Sequence, residues 1–550
     1  MDFKFLLLDK KIKLNRYKEG FYSILKNFLT TLLFVIITLI YWFTGSQIEN
    51  RSESEDIYEY AIMVDNGPAH DWFFHKHHLF FGSFVKFSYS ITSSVFDNLA
   101  ILDFMRIFSS VFASGTLFFF FLYCYKRYSL RPISSILATM CFGLMYGFWR
   151  YSAEAEIPII ATFFMMVAIY FSTDLSTSKK NITLGLFFSF LSVLMHIMNI
   201  VAVFIAIPAF FIIHRRYKIC ILHLVFNTIF IFLAYLFTNQ FNELFTSSSL
   251  LLNSNGLTIT GQFTKGIIGF LQCIISFDFV LGFSSVRAFL SELFAHRMLL
   301  EEFYFGERIS RLHIFISLIT FLSLFSISVY IFFRSIWIWK NNIIDREKLL
   351  LPEGRIAFLI PVIFFLGYAL LILFIEPGNP ELWVMGLMPF SLLLCGLIIV
   401  PMTYDNKLWL PLLAILFLGL HNFIAIKALS DSSMDYNQVK AAFIMNLTNK
   451  DDVVFTAGSP VFERYLRYHS NCEVLYLYNY SEEEFLSIIK NKNKNKKIYF
   501  LGDIFNQESS MFIRFPAQTK RITEIGKNLI NKNKIHLVLD DNFGGIYKLK

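Results

Sequence analysis

Charged residues are scarce in this sequence of 550 residues. Only 16% are Asp, Glu, Lys or Arg, whereas a soluble globular chain carries about 25%. Hydrophobic residues make up 55%, phenylalanine occupies 67 positions, and the mean hydropathy is +0.54. Because so much apolar surface cannot all face inward in water, the composition predicts an integral membrane protein. It excludes both a disordered chain and a soluble multidomain enzyme.

Cysteine is also rare, and its positions follow no ligand pattern. The six cysteines are Cys124, Cys141, Cys220, Cys273, Cys395 and Cys472. No Cys-x-x-Cys pair or Cys/His ligand spacing occurs, so neither a structural zinc site nor a disulfide framework is expected. The net charge of +8 is spread unevenly and forms no basic face with interleaved aromatics, so nucleic acid is not an expected partner.

Long apolar runs alternate with basic clusters along the first 429 residues. The run at 21–43 follows a Lys/Arg-rich segment and is too long for a signal peptide, so it predicts an uncleaved first span with its N-terminus in the cytoplasm. Further runs lie at 102–124, 133–149, 157–172, 183–197, 198–213, 219–238, 312–333, 355–375, 382–400 and 408–426. Because Lys and Arg favour cytoplasmic span ends, the sequence predicts an α-helical polytopic membrane protein with about eleven transmembrane helices, N-in and C-out. This topology requires 183–213 to turn near His196.

The character of the chain changes after Leu429. Charges return, and short apolar runs typical of buried strands lie at Val453–Ala457, Val474–Tyr478, Ile498–Leu501 and Ile535–Leu539. The sequence therefore predicts a transmembrane domain over 1–429 and a small extracytoplasmic α/β domain over 430–550. The second domain lacks a GxGxxG or GxxxxGK loop, so we expect an acceptor-binding or structural module. Residues 79–97 are predicted to form an interfacial helix.

Four polar clusters, far apart in the sequence, are predicted to reach the same outer face. They are the acidic loop 49–65 with the histidines at 75–78, the turn 149–156, His196 with Asn199, and the turn 376–383. Ionisable groups at a membrane boundary are costly unless they are paired or face a wet cavity, so this coincidence favours a functional site. Each cluster has a structural alternative: a solvated loop, a helix cap, a buried core histidine or a Pro/Gly turn.

The order of these clusters resembles the GT-C superfamily of polytopic membrane glycosyltransferases, in the branch similar to protein O-mannosyltransferases. The resemblance covers roughly residues 20–215. It rests on the acidic motif Glu55–Ala61, the His-rich stretch His77–Gly82, the turn Phe148–Glu156 and the segment Leu194–Asn199. The chain departs from that pattern in two places: the acidic pair is Glu55-Asp56 rather than Asp-first, and the histidine stretch lacks prolines.

The resemblance implies transfer of a sugar from a polyprenyl-phosphate donor to a glycan, lipid or protein acceptor on the extracytoplasmic face, with inversion. Such a transfer needs a carboxylate that takes the acceptor proton, for which Asp56 is the first choice and Glu55 the second. Arg287 and Arg297 could stabilise the departing lipid phosphate, unless they pair with glutamates at helical spacing. The predicted substrate-binding residues are Asp65, His77, His78, Arg150, Glu154, Glu156, His196, Asn199, Arg287, Arg297, Glu376 and Asn379. No metal ligand set is predicted, although so many acids are compatible with a divalent metal.

Two other functions stay open on the sequence. A transporter or flippase of lipid-linked sugars is expected to have paired halves with broken helices near the midplane. A polysaccharide polymerase or ligase would share the donor, and we expect it to rely on outer-loop arginines more than on carboxylates.

Overall fold

The computed structural model describes residues 31–32, 34–44, 55–66, 71–128, 130–174, 178–240, 259–293, 300–341, 352–492, 496–506, 511, 516–532, 534–539 and 544–550. Three of the predicted site residues are affected by this limit. Arg297 lies outside the described residues, and so do the side chains of Glu55 and Asp65.

Helices make up nearly all of the described chain as far as residue 429. In chain order they are α1 (Phe34–Thr44), α2 (Glu55–Asn66), α3 (Phe81–Ser93), α4 (Ile101–Lys126), α5 (Pro132–Gly143), α6 (Tyr146–Glu154), α7 (Ile157–Ser172), α8 (Lys179–Met195), α9 (Ile207–Ile213), α10 (Tyr217–Phe237), α11 (Ile259–Ile274), α12 (Ser284–Leu293), α13 (Leu300–Arg308), α14 (Arg311–Lys340), α15 (Pro352–Ile375), α16 (Pro380–Leu394), α17 (Val400–Tyr404) and α18 (Trp409–Leu429).

Several of these helices have the length and composition of membrane spans. Within the described residues five qualify, and a sixth does so if α5 and α6 are counted as one bent span. The five are Ile101–Lys126, Tyr217–Phe237, Arg311–Lys340, Pro380–Thr403 and Trp409–Leu429. These helices identify the chain as an integral membrane protein. The total of eleven spans and the orientation of the termini stay predictions.

One predicted span is bent, and the run that was predicted to form two spans is broken at the expected place. The run at 133–149 is not one straight helix, because α5 and α6 meet at an angle of 66°. The run at 183–213 breaks at His196, whose backbone is extended (φ −157°, ψ 123°) between α8 and a new helical segment that starts at Ile197. The break predicted near His196 is thus present in the structure.

The C-terminal part contains a mixed five-stranded sheet. Its elements are α19 (Tyr436–Leu447), β1 (Val453–Thr456), α20 (Pro460–His469), β2 (Glu473–Tyr476), α21 (Glu482–Lys492), β3 (Ile498–Leu501), α22 (Pro516–Asn531), β4 (Ile535–Leu539) and β5 (Ile546–Leu549). The strand order is β2-β1-β3-β5-β4, in which β1 pairs in parallel with β2 and β3, and β5 pairs antiparallel with β3 and β4. The four predicted strands are present, and β5 was not predicted.

Helix α20 packs against α2 and joins the sheet to the helical part. Two residues define the N-terminus of α20. The Ser459 side chain accepts a hydrogen bond from the Val461 backbone N–H, and Pro460 occupies the first helical position. Tyr58 of α2 is buried against the rings of Tyr465 and Tyr468, at centroid distances of 5.4 and 5.7 Å. One apolar core therefore runs from the helical part into one face of the sheet.

Candidate active site

The acidic helix α2 carries Asp56 and Glu59 one turn apart, where they meet two arginines of α20. Arg464 Nη1 donates to Asp56 Oδ1 at 3.1 Å, and Arg464 Nε lies 3.3 Å from Glu59 Oε1. Arg467 also donates to Glu59 and reaches Glu463 Oε1 at 3.1 Å. The first-choice catalytic carboxylate is thus held by a residue of the C-terminal part.

The charges of carboxylates from three elements act on the buried phenol of Tyr60. Burial raises the pKa of Tyr60, and the charges of Asp56, Glu156 and Glu381 raise it further, while Arg464 opposes them. These three acids come from α2, from the residue before α7, and from the first turn of α16. The structure therefore brings the predicted residues Asp56 and Glu156 to one place and adds Glu381 to them.

The turn between α6 and α7 holds a buried ion pair. Arg150 Nε donates to Glu154 Oε1 at 2.9 Å, and the two side chains are only 7% and 2% exposed. Ala155 follows the last residue of α6 and lies in the left-handed region at φ 72°. This backbone conformation is unfavourable for alanine, whereas glycine adopts it without strain. Glu154 also raises the pKa of Tyr58, after burial, Tyr465 and Asp435. Both predicted residues of this turn therefore lie beside α2.

Four histidines form a compact group next to the break at His196. The ring centroids of His78 and His196 are 4.6 Å apart, and His75 lies 5.3 Å from both His77 and His78. Two backbone bonds fix this group: Phe80 N–H donates to Leu194 O, and Ile197 N–H donates to His77 O, both at 2.9 Å. The predicted residues His77, His78 and His196 are thus brought together, along with His75.

These imidazoles are neutral at physiological pH. Burial, followed by the charges of His77, Lys76 and Arg464, lowers the pKa of His75 to about 3. Burial and then Lys76 lower the pKa of His77 to about 4. In the described part, His77 Nε2 and His78 Nδ1 are buried without a hydrogen-bond partner. Neutral imidazoles suit hydrogen bonding to hydroxyl groups better than charge pairing with phosphate.

Asn199 has a structural role that the sequence did not indicate. Its Nδ2 donates to Ala161 O at 3.1 Å and to Ser192 O at 2.9 Å, and its Oδ1 accepts from the Tyr368 hydroxyl. The side chain is fully buried. Asn199 therefore connects the broken helix to α7 and α15. These contacts are structural, and the predicted role of Asn199 in substrate binding stays untested.

The turn before α16 is a helix cap, and its innermost acid is not the predicted one. Asn379 Oδ1 accepts from the Glu381 backbone N–H at 3.0 Å, and Asn379 Nδ2 lies 3.4 Å from Glu376 Oε2. Glu376 is exposed, whereas the charge of Glu381 reaches Tyr60. Glu376 and Asn379 thus shape the turn, and Glu381 is the residue of this turn that faces α2.

Two arginines of the segment before α14, Arg287 and Arg308, donate to backbone carbonyls. Arg287 Nη1 donates to Leu281 O, and Arg308 Nη1 donates to Tyr304 O at 3.2 Å with its guanidinium stacked on the Tyr304 ring. Among the ion pairs of the described residues, neither arginine is joined to a glutamate. Arg287 therefore stabilises its own turn, and its predicted contact with phosphate stays untested.

The C-terminal ends of β1 and β3 already hold a carboxylate. Asp503 Oδ1 accepts from Ala457 N–H at 3.0 Å, and its Oδ2 accepts from Thr456 Oγ1 at 2.8 Å and lies 3.4 Å from Lys440 Nζ. A methyl group on Gly458 would come within 2.7 Å of the same oxygen. Asp503 fills the position where a phosphate would bind at the start of α20, so this edge does not resemble a nucleotide site.

An apolar groove lies against α1 and has a cavity volume of about 370 Å³. Its lining residues are Ile36, Leu39, Ile40, Phe43, Thr44, Trp149 and Phe423. Trp149 Nε1 donates to Thr44 Oγ1 at 3.2 Å, and Trp149 directly precedes Arg150 in α6. No group of three His, Cys, Asp or Glu side chains in the described part is arranged to hold a metal ion.

Sequence reasoning did not assign several residues to this site: Glu59, Tyr60, Glu381, Arg464 and Arg467. Glu59 and Tyr60 lie within the acidic motif Glu55–Ala61, and Glu381 lies within the turn 376–383, but none of them was named as a site residue. Arg464 lies 408 positions from Asp56, so no local pattern links them. A signal was available for α20, whose polar and apolar residues segregate strongly on two faces of the helix and predict that one face packs on another element.

Comparison with known proteins finds no matching family model and no matching curated protein. Solved structures similar to the chain include two of ArnT from Cupriavidus metallidurans, one in the apo state and one bound to undecaprenyl phosphate. They are 9% and 10% identical to this chain, with TM-scores of 0.49 and 0.45. Each match covers 94% of this chain and 97% of the other. Similarity at this level says nothing of activity, so the function is inferred from the site itself.

Proposed function

We propose that the protein is a membrane glycosyltransferase of the GT-C type that transfers a sugar from a polyprenyl-phosphate donor to an acceptor at the extracytoplasmic face. The observation that carries this proposal is that Arg464 of α20 holds the Asp56 carboxylate in a chain whose helices are long and apolar enough to span a membrane. The charges of Asp56, Glu156 and Glu381 also act together on the buried Tyr60, whose pKa they raise. Ionisable groups at a membrane boundary are costly unless they are paired or face a wet cavity, which makes them candidates for a functional site.

The donor is proposed to lie with its lipid chain in the apolar groove and its phosphate near α6. The groove is lined by aliphatic and aromatic side chains, which suit a polyprenyl chain, and Trp149 is one of them. Arg150 follows at once and is the proposed partner of the departing phosphate, since a guanidinium matches phosphate oxygens well. Glu154 keeps Arg150 oriented in the absence of donor.

The chemical step needs one base and one leaving group. The acceptor hydroxyl oxygen forms a bond to the anomeric carbon while the bond from that carbon to the phosphate oxygen breaks. The lipid phosphate leaves with the electron pair, and the acceptor proton passes to the Asp56 carboxylate. Attack opposite the leaving group inverts the anomeric centre. Glu55 keeps its place as the second choice for the base.

The neutral histidines are the proposed contacts for sugar hydroxyls. His77 Nε2 and His78 Nδ1 are buried polar atoms without a partner in the described residues, and such atoms are costly unless a ligand satisfies them. His196 packs edge to face against His78 and orients it. Uncharged imidazoles can donate to or accept from a hydroxyl group without attracting free anions.

The proposal is tested by mass spectrometry of surface glycans, glycolipids and glycoproteins from cells with the gene intact, deleted, and restored as wild type or Asp56→Asn. We expect one glycan to lose a sugar on deletion and to regain it only with the wild-type gene. Restoration by Asp56→Asn would count against a carboxylate-base enzyme and favour a transporter or a ligase. No change in any glycan on deletion would remove the proposal.

A further inference from the structure

We propose that Arg464 is a positioning residue for the Asp56 carboxylate, so that the catalytic site is complete only when α20 is docked on α2. This inference rests on the proposed function, because it gives Arg464 a task only if Asp56 is the base. It changes the expected role of the C-terminal part, which would then supply part of the transfer machinery in addition to any acceptor contact.

The guanidinium of Arg464 bridges two carboxylates on the same face of α2. Its Nη1 donates to Asp56 Oδ1 at 3.1 Å, while its Nε lies 3.3 Å from Glu59 Oε1. The planar fork of an arginine fixes both the place and the rotation of the acids that it binds. Arg464 thereby engages Oδ1 of Asp56 and restrains the plane of its carboxylate.

The position of Arg464 is itself fixed by apolar packing on both sides. Tyr465, the next residue, is buried edge to face against Tyr58 at 5.4 Å, and Leu466 is fully buried. One turn further, Arg467 is bound to Glu59 and Glu463. Because α20 starts directly after β1, the sheet holds the helix from behind. Arg464 is therefore presented to Asp56 by a rigid element.

Charge balance at Asp56 gives Arg464 a second effect. Glu59 on the same helix, Glu156 before α7 and Glu381 in α16 are the carboxylates that share this region, and each disfavours another negative charge. Arg464 opposes them. The nearby His75 adds no charge, because burial and its neighbours lower its pKa to about 3. Loss of the guanidinium should therefore make the Asp56 carboxylate harder to ionise.

The test measures the pH dependence of sugar transfer in membranes that contain the full-length protein. The product is the glycan that differs between wild-type and deletion strains, measured by mass spectrometry between about pH 5 and 8. For Arg464→Gln we expect the part of the pH–rate profile in which the rate falls with acidity (the acidic limb) to shift to higher pH by roughly one unit. At a given pH on that limb, the rate should be about tenfold lower than in the wild type. The size allows for partial screening of this pair, whose side chains are 18% and 22% exposed. Arg464→Lys should restore part of the rate.

Arg467→Gln is the matched control, since it removes contacts to Glu59 and Glu463 from the same helix. Its acidic limb should move clearly less than that of Arg464→Gln, because the contacts of Arg467 are to Glu59 and Glu463 and act on Asp56 only from a greater distance. An Arg464→Gln protein that is folded but keeps the wild-type limb would overturn the inference. If Arg464→Gln does not accumulate in the membrane, Arg464→Lys provides the test, because lysine keeps the charge and loses the planar guanidinium. A lowered rate with the acidic limb at its wild-type pH supports positioning by the guanidinium. A wild-type rate at every pH contradicts it. Full activity in Asp56→Asn would instead overturn the proposed base, which is a separate failure.

Discussion

Breaking the buried ion pair between Arg150 and Glu154 is expected to destabilise the protein by about 3–5 kcal/mol. At the observed separation of 2.9 Å, an effective dielectric constant of about 20 gives an attraction of roughly 6 kcal/mol. Desolvation of two ions offsets most of that attraction while both partners are present. With only 7% and 2% of the side chains exposed, the ion left behind by a single substitution cannot regain its water.

The assay is the free energy of unfolding, measured by denaturant titration of the purified protein in detergent micelles. Arg150→Met and Glu154→Gln should each lower it by about 3–5 kcal/mol. The double variant should recover at least 2 kcal/mol of the summed loss, because neither ion is then left alone. It should still fail to transfer sugar if Arg150 binds the donor phosphate. Losses that add within about 0.5 kcal/mol would refute the coupling between the two residues.

Two further predictions concern stability. Burial lowers the pKa of His75 to about 3 from an unfolded value of 6.5. The unfolded state therefore binds this proton first as the pH falls, so the free energy of unfolding is unaffected by His75 above pH 6.5 and decreases below it. At pH 5 the free energy of unfolding should be about 2 kcal/mol lower for this reason. His75→Gln should make the dependence of the free energy of unfolding on pH less steep. An unchanged dependence in that variant would contradict the burial argument. Ala155→Gly should raise the free energy of unfolding by about 1 kcal/mol because it relieves the left-handed backbone, whereas the control Ala153→Gly inside α6 should lower it.

Hydropathy and local signals predicted much of the fold. The apolar runs match helices because residues that enter lipid must be apolar along their whole length. The break at 183–213 was placed at His196, where a polar residue interrupts the run. The four predicted strands reappear because buried strands are short apolar runs. Strand β5 was missed because Ile546–Leu549 is short and contains a lysine, and its pairing with β4 depends on a turn at two glycines.

The site was only partly accessible from the sequence. Asp56 was singled out because it lies in an acidic segment next to a span, which is a local property. Its partner Arg464 belongs to a different structural layer, so only the tertiary fold unites them. Glu381 resembles an ordinary first-turn glutamate of a helix, and nothing nearby distinguishes it from the exposed Glu376. For Asn199 the sequence did not reveal a structural role, because the backbone groups that its amide satisfies belong to other parts of the fold, and its predicted contact with substrate stays untested.

The most direct test of the central claim compares sugar transfer by the wild-type protein, Asp56→Asn and Glu55→Gln in membranes of the deletion strain. Asp56→Asn keeps the side-chain volume and removes its basicity, so the turnover should fall by roughly 10²–10⁴ while binding of a polyprenyl phosphate such as undecaprenyl phosphate stays nearly unchanged. Glu55→Gln should cost less. The reverse ranking would move the base to Glu55, and near-normal turnover in both variants would contradict a mechanism based on this helix.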